Sequence, residues 1–167
     1  MPRFRLFAFI TLITMAFGVA LVGNALAGEK VKFRTGLYGT KWEQVAVGDE
    51  EGHIIGIYES KGLSTNLEGK KFLDGWLLRE SGLMDIDGKA GTWSAQGYGE
   101  WTDGDGDKIF ITWEGKKDKN ELGKGTNAMV KGTGKWQGIQ GKGTWVAAPA
   151  MDNRWYSDGE WNVELPR

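Results

Sequence analysis

The sequence predicts an all-β protein, built as a closed antiparallel β-barrel of about eight strands. Helical periodicity of apolar residues is hard to find after Gly28, whereas short β-rich segments that alternate between apolar and polar residues recur along the chain. Clusters of Gly, Asp and Asn separate these segments, as expected for hairpin turns. Strands with one apolar face suit a sheet that closes on itself, because closure leaves no exposed edge.

Residues 1–27 have the order of a secretory signal peptide. Arg3 and Arg5 supply positive charge, an apolar run of 17 residues spans positions 6–22, and an Ala-Leu-Ala cleavage pattern follows. We expect the mature chain, 28–167, to be a single barrel domain that is periplasmic or secreted and has no membrane span after cleavage. The alternative is an uncleaved anchor, although the run is shorter than the roughly 20 residues that span a bilayer.

Composition excludes several kinds of site and partner. The 167 residues include no Cys and a single His, which excludes disulfides, thiolate metal sites, Cys nucleophiles and multi-histidine metal sites. Without residues 1–27 the chain has 19 basic and 22 acidic residues, so it has no electrostatic reason to bind nucleic acid or an anionic membrane. Phosphate-binding and zinc-protease motifs do not occur either, and we expect neither a cofactor nor a metal.

The first strands are predicted from short β-rich segments between turn clusters. The second places Ile55, Ile57 and Glu59 on one face, and the third places Leu78 and Glu80 on the face that also carries Trp76, Gly82 and Met84. Each of these strands ends at a Gly- or Asp-containing turn. The eight predicted strands are 30–47, 53–60, 75–87, 90–102, 108–114, 126–131, 143–148 and 154–165.

Alternation is strongest in the second half of the chain. Odd positions from Trp93 to Trp101 form one apolar face, and Trp113, Trp155 and Trp161 have the same parity in later strands. Glycines interleave with these tryptophans, which fits the interior of a small barrel, because large rings need small neighbours. We therefore interpret the tryptophan face as the inner face.

Two acidic segments have simpler explanations than metal binding. Segment 103–107 and Glu114 place carboxylates at several ligand positions of an EF-hand calcium-binding loop, but Lys108 stands where that loop needs Gly. A hairpin turn explains the Asp and Gly content of this segment. His53 follows the acidic segment 49–51 and is interpreted as an exposed loop residue.

The most informative segment is 131–145, KGTGKWQGIQGKGTW. It resembles the G-T-G-(K/R)-(aromatic)-x-G-(I/A)-x-G segment of the allene oxide cyclase and dirigent barrel superfamily, including small exported bacterial members of unassigned function. Segments 72–76 and 100–110 are similar to the strand and hairpin that precede it there. The resemblance implies an eight-stranded barrel with an apolar interior that often assembles as a homotrimer, and it supplies no catalytic residue. In such a connector Gly132, Gly134, Gly138 and Gly141 are expected to have positive φ, while Trp136 and Ile139 plug the barrel end.

These observations predict a barrel whose partly hollow interior binds an apolar or aromatic small molecule. The alternatives are a cofactor-free cyclase or isomerase on the same barrel and a structural or assembly role with a filled core. For the enzyme, Glu80 is the candidate acid or base, because an apolar interior raises the pKa of a carboxyl group. Glu59 is a second carboxylate on a predicted inner face, but it lies near a strand end, where it could equally reach water. The predicted ligand-binding residues are Trp76, Leu78, Glu59, Trp93, Trp101 and Trp113.

Overall fold

The computed structural model describes residues 28–166, and these form one closed barrel of eight antiparallel strands. Each strand pairs with its neighbours in the chain, and the last strand closes the barrel by pairing with the first. The predicted fold class is confirmed, whereas the predicted signal peptide at 1–27 lies outside the described residues. The strands are β1 (Glu29–Ala46), β2 (His53–Asn66), β3 (Leu77–Asp87), β4 (Thr92–Thr102), β5 (Lys108–Lys117), β6 (Gly123–Gly132), β7 (Gln140–Pro149) and β8 (Arg154–Glu164).

Strand β2 differs most from its predicted bounds, because it continues past Ser60 to Asn66. Its second half presents Ser60, Gly62, Ser64 and Asn66 to the interior, where all four are buried. An inner face of small and polar residues lacks the apolar alternation from which strands are predicted. The pattern therefore concealed a pairing with β1 that extends to Phe33.

No helix of residues 28–166 is long and apolar enough to cross a membrane.

The two ends of the barrel differ. The β2–β3, β4–β5 and β6–β7 connectors meet at one end, here called the closed end, where Leu73, Trp76 and Ile139 are buried. A single 3₁₀ turn, Gly134–Trp136, lies in the β6–β7 connector. The Trp136 ring packs against that of Trp76, with ring centres 5.0 Å apart. The other four hairpin turns form the opposite end, here called the open end.

Tryptophan rings inside the barrel lie over glycines of neighbouring strands. The Trp113 ring of β5 lies over Gly97 of β4 and Gly82 of β3, so closely that a Cβ at either glycine would overlap with the ring. The Trp145 ring of β7 lies in the same way over glycines of β5 and β6. The interleaving of glycine and tryptophan in the sequence thus has a geometric cause, because a side chain at these positions would displace the ring.

A β-bulge in β1 changes which of its positions face the interior. Odd positions face inward as far as Gly39, and the register with β2 then shifts between Gly39 and Lys41. Beyond the shift, Trp42 turns inward and its ring lies over Gly56 of β2 near the open end. A bulge re-aims the side chains that follow it, so simple alternation does not predict this orientation.

The glycines of the β6–β7 connector have two different roles. Gly134 and Gly138 have positive φ, +49° and +87°, a conformation that favours glycine. Gly132 and Gly141 were predicted to share it, but positive φ is not found at either, and close packing explains both instead. A Cβ at Gly132 would overlap with the Trp136 carbonyl oxygen, and a Cβ at Gly141 would lie 2.9 Å from Sδ of a methionine on β6.

Candidate functional site

A cavity of about 590 Å³ occupies the barrel interior and reaches the open end. Most of its wall is apolar, because the inward positions of the strands are aromatic or aliphatic. The predicted site residues that line it are Leu78, Glu80, Trp93, Trp101 and Trp113. Its other aromatic lining residues, which the site prediction omitted, are Phe33, Trp42, Tyr58, Trp145 and Trp155.

Trp76, predicted to contact a ligand, does not line the cavity. It has the same parity as Leu78, but it precedes the first residue of β3 and is buried at the closed end. There its ring packs edge-on against Phe72, with ring centres 5.2 Å apart. The alternation of residues gave the correct face for Trp76 but not its height in the barrel. Trp76 closes this end of the barrel and does not border the cavity.

Glu59, also predicted to contact a ligand, lies on the exposed outer face of β2. The apolar pair Ile55 and Ile57 suggested that the odd positions of this strand face inward, but Ile57 is exposed as well. The inner face consists of even positions, among them Tyr58 and Ser60. This finding removes Glu59 from the site and adds Tyr58.

Glu80 brings a carboxyl group into the cavity from the middle of β3. It lies opposite Ser60 in the β2–β3 register, and the Ser60 hydroxyl donates to Glu80 Oε1 at 2.9 Å. The Tyr58 hydroxyl donates to the same oxygen at 3.5 Å. Burial raises the pKa of Glu80 to about 7, although both hydrogen bonds oppose that rise. Such a group can accept or donate a proton near neutral pH.

Tyr58 is held in the same part of the wall by two aromatic neighbours. Its ring centre lies 5.9 Å from that of Trp113 and 6.3 Å from that of Trp155. Burial and the adjacent Glu80 raise the pKa of the Tyr58 hydroxyl above its ordinary value. The hydroxyl therefore remains a neutral donor toward Glu80 at physiological pH.

The fold is similar to that of a pterocarpan synthase dirigent protein of known structure. The two structures align with a TM-score of 0.50 at 12% sequence identity, covering 91% of this chain and 99% of the other. The barrel has a dirigent-like fold. At this level of identity the similarity extends to the fold alone. No protein-family model matches the sequence, and a comparison with curated proteins found no match.

The wall of the dirigent-like barrel also contains buried polar atoms that lack a hydrogen-bond partner among residues 28–166. They are Thr35 Oγ1, Asn127 Oδ1 and the indole nitrogens of Trp101 and Trp113, and all four residues line the cavity. Buried polar groups are rarely left unpaired in native proteins. The four atoms themselves have almost no accessible surface, so they are enclosed in the wall, and a molecule in the cavity could reach them only if the wall moved.

Apart from Glu80, the charged residues that line the cavity are all at the open end of the dirigent-like barrel. They follow the β1 bulge, end β5, begin β8 or lie in the adjacent turns. Two of the cations already have partners there: Lys117 Nζ donates to the Gly91 carbonyl at 2.8 Å, and Lys41 Nζ lies 3.2 Å from a Glu43 carboxylate oxygen. The open-end residues are Lys41, Lys117, Glu121, Asp152 and Arg154.

The Asp-rich turn between β4 and β5 anchors the β6–β7 connector. Asp103 accepts hydrogen bonds from the backbone amides of Asp105 and Asp107 at 2.9 and 3.0 Å. Its other oxygen accepts a hydrogen bond from Trp136 Nε1 at 2.8 Å and forms an ion pair with Lys135, also at 2.8 Å. The Asp and Gly content of this turn is thus explained by hairpin geometry and by contacts across the closed end.

His53 is the first residue of β2, as in the predicted strand 53–60, and it is partly exposed. Its Nδ1 lies 2.7 Å from Asp49 and its Nε2 lies 3.0 Å from Asp85. The hydrogen bond to Asp49, which has the larger effect, and the hydrogen bond to Asp85 both raise the pKa of His53. Candidate ligand atoms of Asp49, Glu50 and His53 lie within 4.8 Å of one another, but the two acids are exposed and the cluster is outside the cavity lining.

Proposed function

We propose that this protein is an exported barrel that binds an apolar or aromatic small molecule in its interior. The observation that carries the proposal is the cavity of about 590 Å³, closed at one end and lined mainly by apolar residues, eight of them aromatic. Its volume falls within the roughly 300–1,000 Å³ of typical ligand pockets. A hollow interior also argues against a purely structural role with a filled core, which was the third hypothesis from the sequence.

Binding can be tested with a neutral aromatic probe, 1-methylnaphthalene, by titration calorimetry. Ala95 on β4 lines the cavity, so Ala95→Phe should fill part of it and weaken binding by about tenfold or more. The adjacent Ser94 is exposed on the outer face, and Ser94→Phe is the matched control that should leave affinity unchanged. Absence of binding by the wild-type protein, or equal affinities for the two variants, would contradict the proposal.

A cyclase or isomerase that acts through Glu80 is the second candidate. It is favoured by one observation, a carboxyl group with a pKa of about 7 inside an aromatic cavity. The structural neighbour is described as a synthase, which gives this candidate a precedent on the same fold. Glu80→Gln would separate the candidates for a neutral substrate, because an enzyme should lose about 10²-fold or more in turnover while retaining binding.

Export is part of the proposal and rests on the sequence pattern of residues 1–27. Protein recovered from the periplasm should have the intact mass of a chain that begins at Gly28. A mass that includes Met1 would instead indicate an uncleaved anchor. Sedimentation of the same preparation would test the homotrimer, which a single-chain mass at micromolar concentration would contradict.

A further inference from the structure

Among residues 28–166, the side chains that contact the Glu80 carboxyl are the hydroxyl groups of Ser60 and Tyr58, and no basic side chain forms an ion pair with it. Among the described residues that line the cavity, every basic side chain lies at the open end, whereas Glu80 is in the middle of β3. A buried charge is normally paired, because leaving it unpaired in an apolar environment is strongly unfavourable. The barrel therefore contains an acid whose counter-charge is not provided by the lining around it.

The hydrogen bonds to Glu80 suit the ionised form. Two hydroxyl groups, of Ser60 and Tyr58, converge on Oε1, and no residue in the described range donates to Oε2. Hydroxyl groups that donate to a carboxylate stabilise its negative charge. The arrangement leaves the second oxygen free to contact a molecule in the cavity.

The surroundings of Glu80 also suit a positive charge. Tyr58, whose hydroxyl donates to the Glu80 carboxyl, packs against Trp113 and Trp155, and all three rings line the same cavity as Glu80. Aromatic rings attract cations, most strongly where water is excluded. An acid beside several aromatic rings is a combination that favours a cationic ligand over a neutral one of the same shape.

We propose that the molecule bound in the cavity is an aromatic organic cation, such as a quaternised nitrogen heterocycle, whose charge pairs with Glu80. This inference rests on the proposed function, because it assumes that the barrel interior is the binding site. The aromatic wall supplies apolar contact, and Glu80 selects for positive charge.

The inference predicts that affinity for a cation rises with pH through the pKa of Glu80, about 7. Below that pH the protonated acid has no charge to pair with the ligand. The titratable group that faces Glu80 is Tyr58 on β2, which stays neutral, and the remaining charged lining residues are at the open end. His53 also has a raised pKa but lies outside the cavity lining, so a Glu80 variant distinguishes its contribution.

The test compares two probes of the same shape, the cation N-methylquinolinium and the neutral 1-methylnaphthalene, by calorimetry at about pH 8.5 and about pH 5.5. At the higher pH, Glu80→Gln should weaken binding of the cation by about tenfold or more and change the affinity for the neutral probe less than about twofold. For the wild type, lowering the pH should weaken binding of the cation by about tenfold and leave the neutral probe unaffected. Glu59→Gln, on the outer face of β2, is the matched control and should change neither affinity.

Unchanged affinity of Glu80→Gln for the neutral probe shows that the variant is folded, so a selective loss of cation binding supports the inference. If the neutral probe binds and Glu80→Gln leaves cation affinity unchanged, the inference is overturned while the proposed function stands. If neither probe binds the wild-type protein, both are overturned. A pH effect that persists in Glu80→Gln would assign the titration to another group and would also contradict the inference.

Discussion

Replacing Gly97 by Val should destabilise the barrel by about 3 kcal/mol or more, at the upper end of what overpacked cores lose. A Cβ at Gly97 would overlap with the Ser81 carbonyl oxygen on one side and with the Trp113 ring on the other. The ring could move into the cavity, but the carbonyl belongs to the paired strand β3 and cannot move without breaking the register. Urea unfolding followed by tryptophan fluorescence would measure the loss.

The matched control for this substitution is Gly36→Val on β1. Gly36 faces outward, and a Cβ there would meet no atom within 4 Å. Because Val favours extended strands, this variant should be as stable as the wild type or slightly more stable. Similar stabilities for the Gly97 and Gly36 variants would mean that β3 and β4 can separate at little cost, contrary to the packing described above.

Asp103→Ala should lower the free energy of unfolding by about 2 to 3 kcal/mol, because it removes a buried acceptor of charge-assisted hydrogen bonds. Two backbone amides and the indole N–H of Trp136 would lose their partner. Lys135 Nζ would lose one of its two carboxylate partners and retain its ion pair with Asp105. Thermal and urea unfolding would give the change, and Asp118→Ala, at an exposed position in the β5–β6 turn, is a control that should have little effect.

The same residue should make stability fall in acid. Burial alone would raise the pKa of Asp103, but hydrogen bonds from Lys135, Trp136 and the two amides outweigh burial and lower it. A pKa that is lower in the folded than in the unfolded state stabilises the fold above about pH 4, and this contribution is lost as pH falls below that value. Asp103→Asn should remove this part of the pH dependence. An identical acid profile for Asp103→Asn and wild type would contradict the assignment.

The barrel itself could be predicted from sequence because every strand from β3 onward alternates between faces and ends at recognisable turns. The same alternation placed Glu80, Leu78 and the tryptophans of β4 and β5 on the inner wall. It failed on β2, where bulky Ile57 faces outward and the smaller residues beside Tyr58 face inward. Aromatic rings from other strands lie against the inner face of β2, where Trp42 covers Gly56 and two tryptophans flank Tyr58, so this face has little room for large aliphatic side chains.

Two other features depended on geometry that a one-dimensional pattern does not contain. Trp42 was missed because a bulge reverses its orientation, and bulges leave no alternation to recognise. The roles of Gly132 and Gly141 were misjudged because a glycine needed for close packing looks the same in sequence as one needed for positive φ. Trp145 ends the segment 131–145 that carries the family resemblance, but that resemblance did not indicate that its ring borders the cavity.

The Trp42 ring over Gly56 has a consequence for how ligand selectivity could diverge among barrels of this kind. The three atoms nearest to a Cβ at Gly56 all belong to the Trp42 ring, so the ring would give way before the strand. Exchange of this one glycine for alanine would therefore alter the width of the entrance and leave the aromatic wall around Glu80 unchanged. Under the proposed function, the range of molecules admitted can thus evolve at a position outside the cavity lining, independently of the residues that line the interior.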